Sequence, residues 1–447
     1  MTEKKILSET LRKDQHLIWH PFTPLVGAEM PLSIVKAEGI YLYTEDGRKI
    51  LDGIASWWVN LHGHSHPHIA NAIFEQAQKL EHVIFAGFTH EPAVKLAERL
   101  LAILPANQSK VFFSDDGSTA CEVAIKMALQ YWYNLGETQK TEIIALQGAY
   151  HGDTFGGMSV AERNLFNRPF SEKLFDVHFL PFPACYRVAC CAGKRNNPSC
   201  ISAKATIQTM HKLAETGKIA AFIYEPLIQG AAGMRMYSSE ILDELLSIAQ
   251  KYEILCIADE VMTGFGRTGK LFASEYCSQK PDIMCLSKGI TGGTMPLGVT
   301  TCTEKIISAF RSAEKTKTFY HGHSYTANPL ACAAANANLD LLLQQETLQK
   351  IFQITQMHAN FEAHIRFQKA VAEARSLGTI LAIELKSEQA TSYFNDMSKE
   401  IYRYFLQRNL LLRPLGNVLY VMPPYCIESS ELEWIYQEIE QFLQQKI

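Results

Sequence analysis

The 447-residue sequence has no surplus of positive charge: 42 lysines and arginines stand against 46 aspartates and glutamates, a formal net charge of -4. That balance leaves no electrostatic footprint for nucleic acid or an anionic membrane, so small molecules are the expected partners. No apolar run approaches the roughly 20 residues of a membrane span, and the opening MTEKKILSETLRKDQ lacks the apolar core of roughly 7–15 residues found in secretory signals. A cytosolic protein is expected. Internal repeats and low-complexity tracts are also missing. The 11 cysteines are an odd number, and Cys121, Cys256, Cys285 and Cys332 sit singly in apolar runs, where a thiol acts as a small hydrophobe. Such usage suits a reducing compartment.

Two clusters invite a metal reading. Cys185, Cys190, Cys191 and Cys200 in PACYRVACCAGKRNNPSC lack a clean C-x-x-C pair. His62, His64, His66 and His68 in LHGHSHPHIA lie in a Gly- and Pro-containing loop leading into a helix, without helical i,i+4 geometry. No metal is expected at either.

With 47% hydrophobic and 20% charged residues, the chain reads as globular material large enough for more than one domain. Short β-rich runs alternate with helical patterns between about residues 110 and 300: VFF at 111, EIIAL at 142, VHFL at 177, AFIYE at 221, ILCIA at 254 and DIMCL at 282. Alternation of this kind predicts an α/β fold with a largely parallel sheet between helices, and the continuous apolar runs are those of strands covered on both faces. Ala120, Val123, Ala124, Met127 and Tyr131 form one helical stripe after the turn Asp115-Asp116-Gly117-Ser118. Beyond residue 330 come two helices, strand-like TILAIEL and VLYVMPP, and a closing amphipathic helix. The expected division is a large domain over 56–330 and a smaller α+β domain over 331–447, with residues 1–55, including the hairpin-like IYLYTEDGRKILDG, packed beside the latter.

Three positions suggest cofactor chemistry. Lys288 follows DIMCLS, so its amine would stand at the carboxyl end of a buried strand, where α/β sheets place ligands. A snorkelling cation is the bland reading. Asp259 ends ILCIA, at a depth where a carboxylate needs a positive partner such as a protonated pyridine nitrogen; a helix cap or an ion pair with nearby Arg267 is the alternative. Gly117 and Ser118 begin a helix, where free N–H groups attract a phosphate, although an N-cap is the commoner use. Gly264-Phe265-Gly266-Arg267-Thr268-Gly269 matches the dinucleotide fingerprint G-x-G-x-x-G, but Asp259 and Glu260 intervene between strand and glycines, and the acid Asp282 would begin the next strand rather than end it. Nicotinamide binding is disfavoured.

Read in order, EDGRKILDG, FSDDGSTACEVAIKMA, GAYHGDTFGGMSV, YEPLIQGAAGM, ADEVMTGFGRTGK, CLSKGITGG and HGHSYTANPLACAAA resemble the fold-type-I, subgroup-III aminotransferases across nearly the whole chain. The resemblance implies a mostly parallel seven-stranded sheet flanked by helices plus a smaller α+β domain, and pyridoxal 5'-phosphate as cofactor. It assigns Lys288 to bonding the cofactor and moving the proton. Asp259 would hold the pyridine nitrogen protonated, Val261 and Tyr150 would cover the ring faces, Gly117 and Ser118 would bind the phosphate, and Glu225 would tune the cofactor. Ser324 stands where the family usually has Thr, whose hydroxyl reaches the phosphate of the neighbouring subunit, with Gly322 and His323 lending backbone beside it. A homodimer is thereby implied.

IWHPFTP with SWWVNLHGH, and LLRPLGNVLYVMPPY, narrow the resemblance to members that aminate 8-amino-7-oxononanoate with S-adenosylmethionine on the way to biotin. Arg413 would clamp the substrate carboxylate with its guanidinium fork, a surface ion pair being the alternative. Trp57 would wall the aliphatic chain in preference to Trp58, since neighbours on a strand cannot both face inward. Phe22 stands where these members have Tyr, so it can stack on substrate but cannot supply a hydroxyl. Ornithine- or 4-aminobutyrate-type activity is the rival within the subgroup, and lysine remains open as the amino donor.

Overall fold

A computed structural model describes residues 8–184 and 198–446. Cys185, Cys190 and Cys191 lie outside the described residues, as does the side chain of Cys200. The centre is a seven-stranded sheet of β1 (Gln108–Ser114), β2 (Glu142–Leu146), β3 (His178–Leu180), β4 (Ile219–Tyr224), β5 (Leu255–Asp259), β6 (Ile283–Leu286) and β7 (Gly298–Thr303), in the order β1-β7-β6-β5-β4-β2-β3. Only β7 runs against its neighbours. Six of these strands coincide with the apolar runs read from the sequence. β4, β5 and β6 are buried at every position, as expected with helices on both faces.

β7 escaped that reading because GVTTCT is half polar. Its threonines are satisfied internally, Thr300 Oγ1 donating to Ala120 O at 2.8 Å and Thr301 Oγ1 to Gln108 Oε1 at 2.7 Å. A buried strand can carry hydroxyls on those terms.

Gly117–Leu135 is a 19-residue helix whose start is fixed by Asp116. The Asp116 carboxylate accepts from Thr119 N at 2.8 Å and the Thr119 hydroxyl accepts from Asp116 N at 2.9 Å, a reciprocal cap, while Gly136 closes the far end with φ 84°. The stripe Ala120, Val123, Ala124, Met127 and Tyr131 is buried.

Tyr41–Thr44 and Lys49–Asp52 pair antiparallel, and Leu410–Leu411 adds to Lys49–Asp52 in parallel, so the first and last parts of the chain share one sheet. A second small sheet joins Val371–Leu377, Ile380–Leu385 and Val418–Val421. Among the described residues no helix is long and apolar enough to cross a membrane.

The four loop histidines have separate partners. His62 Nε2 lies 3.0 Å from Asn338 Oδ1, His64 Nε2 2.9 Å from Asp52 Oδ2 and His68 Nε2 3.0 Å from Asp340 Oδ2, while His66 caps the helix Pro67–Ala77.

Candidate active site

Parallel strands bring their carboxyl ends to one edge, and that edge holds the chemistry. Asp259 ends β5, its neighbour Cys285 lies opposite it on β6, and Lys288 follows two residues beyond β6. Glu225 follows β4, Tyr150 and His151 follow β2, and the helix start at Gly117 follows β1. All of these but Cys285 line a cavity of about 730 Å³.

Asp259 is 5% exposed. Its Oδ2 lies 2.7 Å from His151 Nδ1 and 3.5 Å from Cys121 Sγ, and its Oδ1 accepts from Val261 N at 3.0 Å. Burial pulls the His151 pKa down, but the bond to the Asp259 carboxylate and its charge outweigh it and raise the imidazole to about 10. His151 is therefore the cation beside Asp259. Arg267, the partner weighed from sequence, instead donates to Pro423 O and Asn60 O, both at 2.8 Å.

Lys288 opens a short 3-10 turn with φ 47°, a left-handed value that a side chain adopts only when its surroundings enforce it. Its Nζ lies 4.8 Å from the centre of the Trp58 ring. Burial lowers the amine's pKa, with Asp259 and Glu225 opposing. A lowered pKa leaves more neutral amine to attack a carbonyl carbon. Glu225 is pushed up to about 7, chiefly by burial, and accepts from Tyr150 N at 3.1 Å and Gly230 N at 2.9 Å.

Around the helix start, a Cβ on Gly117 would come within 2.7 Å of Val261 Cγ1, and one on Gly152, at φ 107°, within 2.0 Å of Ser118 Oγ. Ser118 Oγ accepts from Thr154 N at 3.2 Å. These contacts leave a tight polar notch before the first helical N–H groups, the kind of place that holds a phosphate. A flat, positively charged ring nitrogen fits against Asp259, and a phosphate fits at Gly117 and Ser118. The donor set thus matches pyridoxal phosphate.

Trp58, not Trp57, forms the cavity wall, its Nε1 donating to Tyr420 Oη at 2.9 Å. The pair is not on a strand: Ala55, Ser56, Trp57 and Trp58 all have positive φ, a left-handed turn that costs roughly 1–2 kcal/mol per residue. Trp57 instead meets Phe22 at 5.5 Å and the Arg413 guanidinium at 5.0 Å. Among the described residues Arg413 makes no ion pair, so its fork is free for a carboxylate. Val261, Tyr150, Gly117, Ser118, Asp259 and Lys288 are gathered in the cavity; Phe22, Trp57 and Arg413 cluster beside it. Gly322 and Ser324 are exposed, away from the cavity wall, and His323 Nδ1 lies 3.6 Å from Asp115 Oδ2. The sequence reading assigns no role to His151, takes Cys121 as a small hydrophobe and prefers Trp57 to Trp58. The signal for His151 was its place beside Tyr150 in AYHGD, but its partner is 108 residues away.

The family profile described as aminotransferase class-III matches residues 25–443. The adenosylmethionine-8-amino-7-oxononanoate aminotransferase of Synechococcus elongatus is 48% identical over 95% of this chain and 98% of its own, and that of Geobacter sulfurreducens is 39% identical over 97% of each. Among solved structures, the enzyme of the same name from Methanocaldococcus jannaschii superposes with a TM-score of 0.89 at 32% identity, covering 98% of both chains. An amine transaminase from an uncultivated Pseudomonas species, in its PLP-bound form, gives 0.87 at 30% identity, covering 95% of this chain and 97% of its own. The chain belongs to the class-III aminotransferase family, enzymes of fold type I that work with pyridoxal 5'-phosphate.

Proposed function

We propose that the chain transfers the amino group of S-adenosylmethionine to 8-amino-7-oxononanoate, giving 7,8-diaminononanoate for biotin synthesis. The observation that carries this reading is the 48% identity, spread over 95% of the chain, to a relative bearing that activity in its name. Pyridoxal phosphate, when bound, supplies an aldehyde carbon for amines and a ring that accepts electrons. Lys288 would hold it there and, once released, carry the proton between the substrate carbon and the cofactor. Asp259, held by His151 at 2.7 Å, would keep the proton on the ring nitrogen. Gly117 and Ser118 would take the phosphate, Val261 and Tyr150 the ring faces, and Glu225 would tune them. Arg413 would grip the carboxylate of each acid in turn, with Trp57, Trp58 and Phe22 against the rest.

The exposed segment bearing Gly322, His323 and Ser324 would serve a second copy's cofactor, so we read the active form as a homodimer. The free buried cysteines fit a cytosolic setting, and the sheet shared by Leu410–Leu411 and Lys49–Asp52 fits a small domain made of residues 1–55 and 331–447 around 56–330. Incubating purified protein with both proposed substrates and detecting the diamine tests the assignment. Turnover of ornithine or 4-aminobutyrate with no diamine would replace it, and a lysine arm in the same assay identifies the donor.

A further inference from the structure

Ala55, Ser56, Trp57 and Trp58 hold φ of 50°, 43°, 69° and 75°, the longest left-handed run among the described residues. None of them is glycine, so nothing within the run favours that backbone, and its surroundings must enforce it. Those surroundings centre on Asp52, fully buried at the end of the strand Lys49–Asp52. Its Oδ1 accepts from Ile54 N at 3.2 Å, and its Oδ2 accepts from Ser56 Oγ at 2.7 Å and lies 2.9 Å from His64 Nε2. His64 Nδ1 faces Asn60 Nδ2 at 3.2 Å, so it accepts there, and Nε2 carries the proton toward Asp52.

A serine, a histidine and an aspartate meet here, but both donors point at one carboxylate oxygen and His64 offers the hydroxyl no free nitrogen. The set is a clamp and not an activated nucleophile. What it clamps bears on the active site, because the run sends adjacent indoles to two places. Trp58 lines the main cavity, with Lys288 Nζ 4.8 Å from its ring centre, while Trp57 stands 5.5 Å from Phe22 and 5.0 Å from the Arg413 guanidinium. A backbone relaxed out of the left-handed region would displace both walls together. Within the run, Ser56 alone bonds to the Asp52 carboxylate through its side chain.

Resting on the reading of Arg413 and Trp57 given above, we propose that Ser56 is a positioning residue for substrate binding. By donating to Asp52 it holds the run left-handed, and so keeps the Trp57 wall beside Arg413 in the form that receives the aliphatic chain of a carboxylic acid. Ser56 acts through the tryptophans. Ile54 N and His64 hold the same carboxylate, so loss of the hydroxyl loosens the run and leaves the clamp in place.

The test uses the cofactor-loaded protein and nonanoate, an unreactive carboxylate with the chain length of the proposed oxo acid. Ser56→Ala loses the bond and keeps the strain, so nonanoate should bind about tenfold more weakly by calorimetry, and the oxo acid's KM should rise about tenfold with kcat within about twofold. Ser56→Gly also loses the bond but adopts positive φ freely, so both values should return to within about threefold of wild type. A side chain that merely filled space would give the opposite order, glycine being the smaller. Undiminished binding in Ser56→Ala, or a glycine variant no better than the alanine one, would overturn the role. Wild-type protein that fails to bind nonanoate would instead remove the acid-gripping reading beneath it.

Discussion

At the floor of the main cavity, Asp259 is 5% exposed and its two oxygens are held by His151, Val261 N and the Cys121 thiol; beside the mouth, Trp57 is 38% exposed, Phe22 is 45% exposed and Arg413 has no ion pair among the described residues. The floor is built from strand ends and one capped helix, while the mouth comes from loops and the N-terminal segment. Positioning a cofactor needs buried, saturated groups, because an error there leaves a charge unpaired in low dielectric. Gripping an exchangeable acid needs groups whose partner is the substrate itself. Variants at the two places should therefore fail in different ways.

Asp259→Asn should do most damage, slowing the amino-donor half-reaction by roughly 10²- to 10³-fold, or about 3–4 kcal/mol, since a neutral amide would no longer keep the proton on the ring nitrogen. Stopped-flow absorbance of the cofactor reads that loss, and a loss below tenfold would put the floor and the mouth on a par. The His151 side of the pair makes a pH prediction. Its pKa is raised from 6.5 to about 10, so its contribution to stability is complete below pH 6.5 and is lost as pH rises through about 10. A Tm profile should show that decline in the wild type and lack it in His151→Asn.

Gly117→Ala comes next. Its Cβ would press on Val261 Cγ1 at 2.7 Å and Cγ2 at 3.2 Å, an overpacking expected to cost about 1–3 kcal/mol. Tm and cofactor affinity should both fall, and a drop in Tm with undiminished cofactor affinity would separate the notch from the phosphate. The smallest effect belongs to the mouth: Arg413→Lys keeps the charge but loses the fork, and should raise the oxo acid's KM by about tenfold with the donor-independent Tm unchanged. A large loss of Tm would make Arg413 a structural group instead.

How far the sequence alone reaches follows the same divide. Runs such as AFIYE and ILCIA announce buried parallel strands because nothing polar interrupts them, and Asp259 and Lys288 stand out by ending such runs. Gly117 stands out through its turn. By contrast β7 was hidden by its threonines, and Trp58 by a left-handed turn that no propensity foretells in Ala-Ser-Trp-Trp. Cys121 reads as one more small hydrophobe until β5 brings Asp259 within 3.5 Å of its sulfur. What stays hidden is what depends on contacts between distant segments.

The central claim is that one amine, at Lys288, holds the cofactor opposite Asp259. Borohydride reduction of the cofactor-loaded protein, followed by peptide mapping, measures it directly: the account predicts the reduced cofactor on Lys288 and none on Lys288→Ala. A label on another lysine, or transamination surviving in Lys288→Ala, would contradict it.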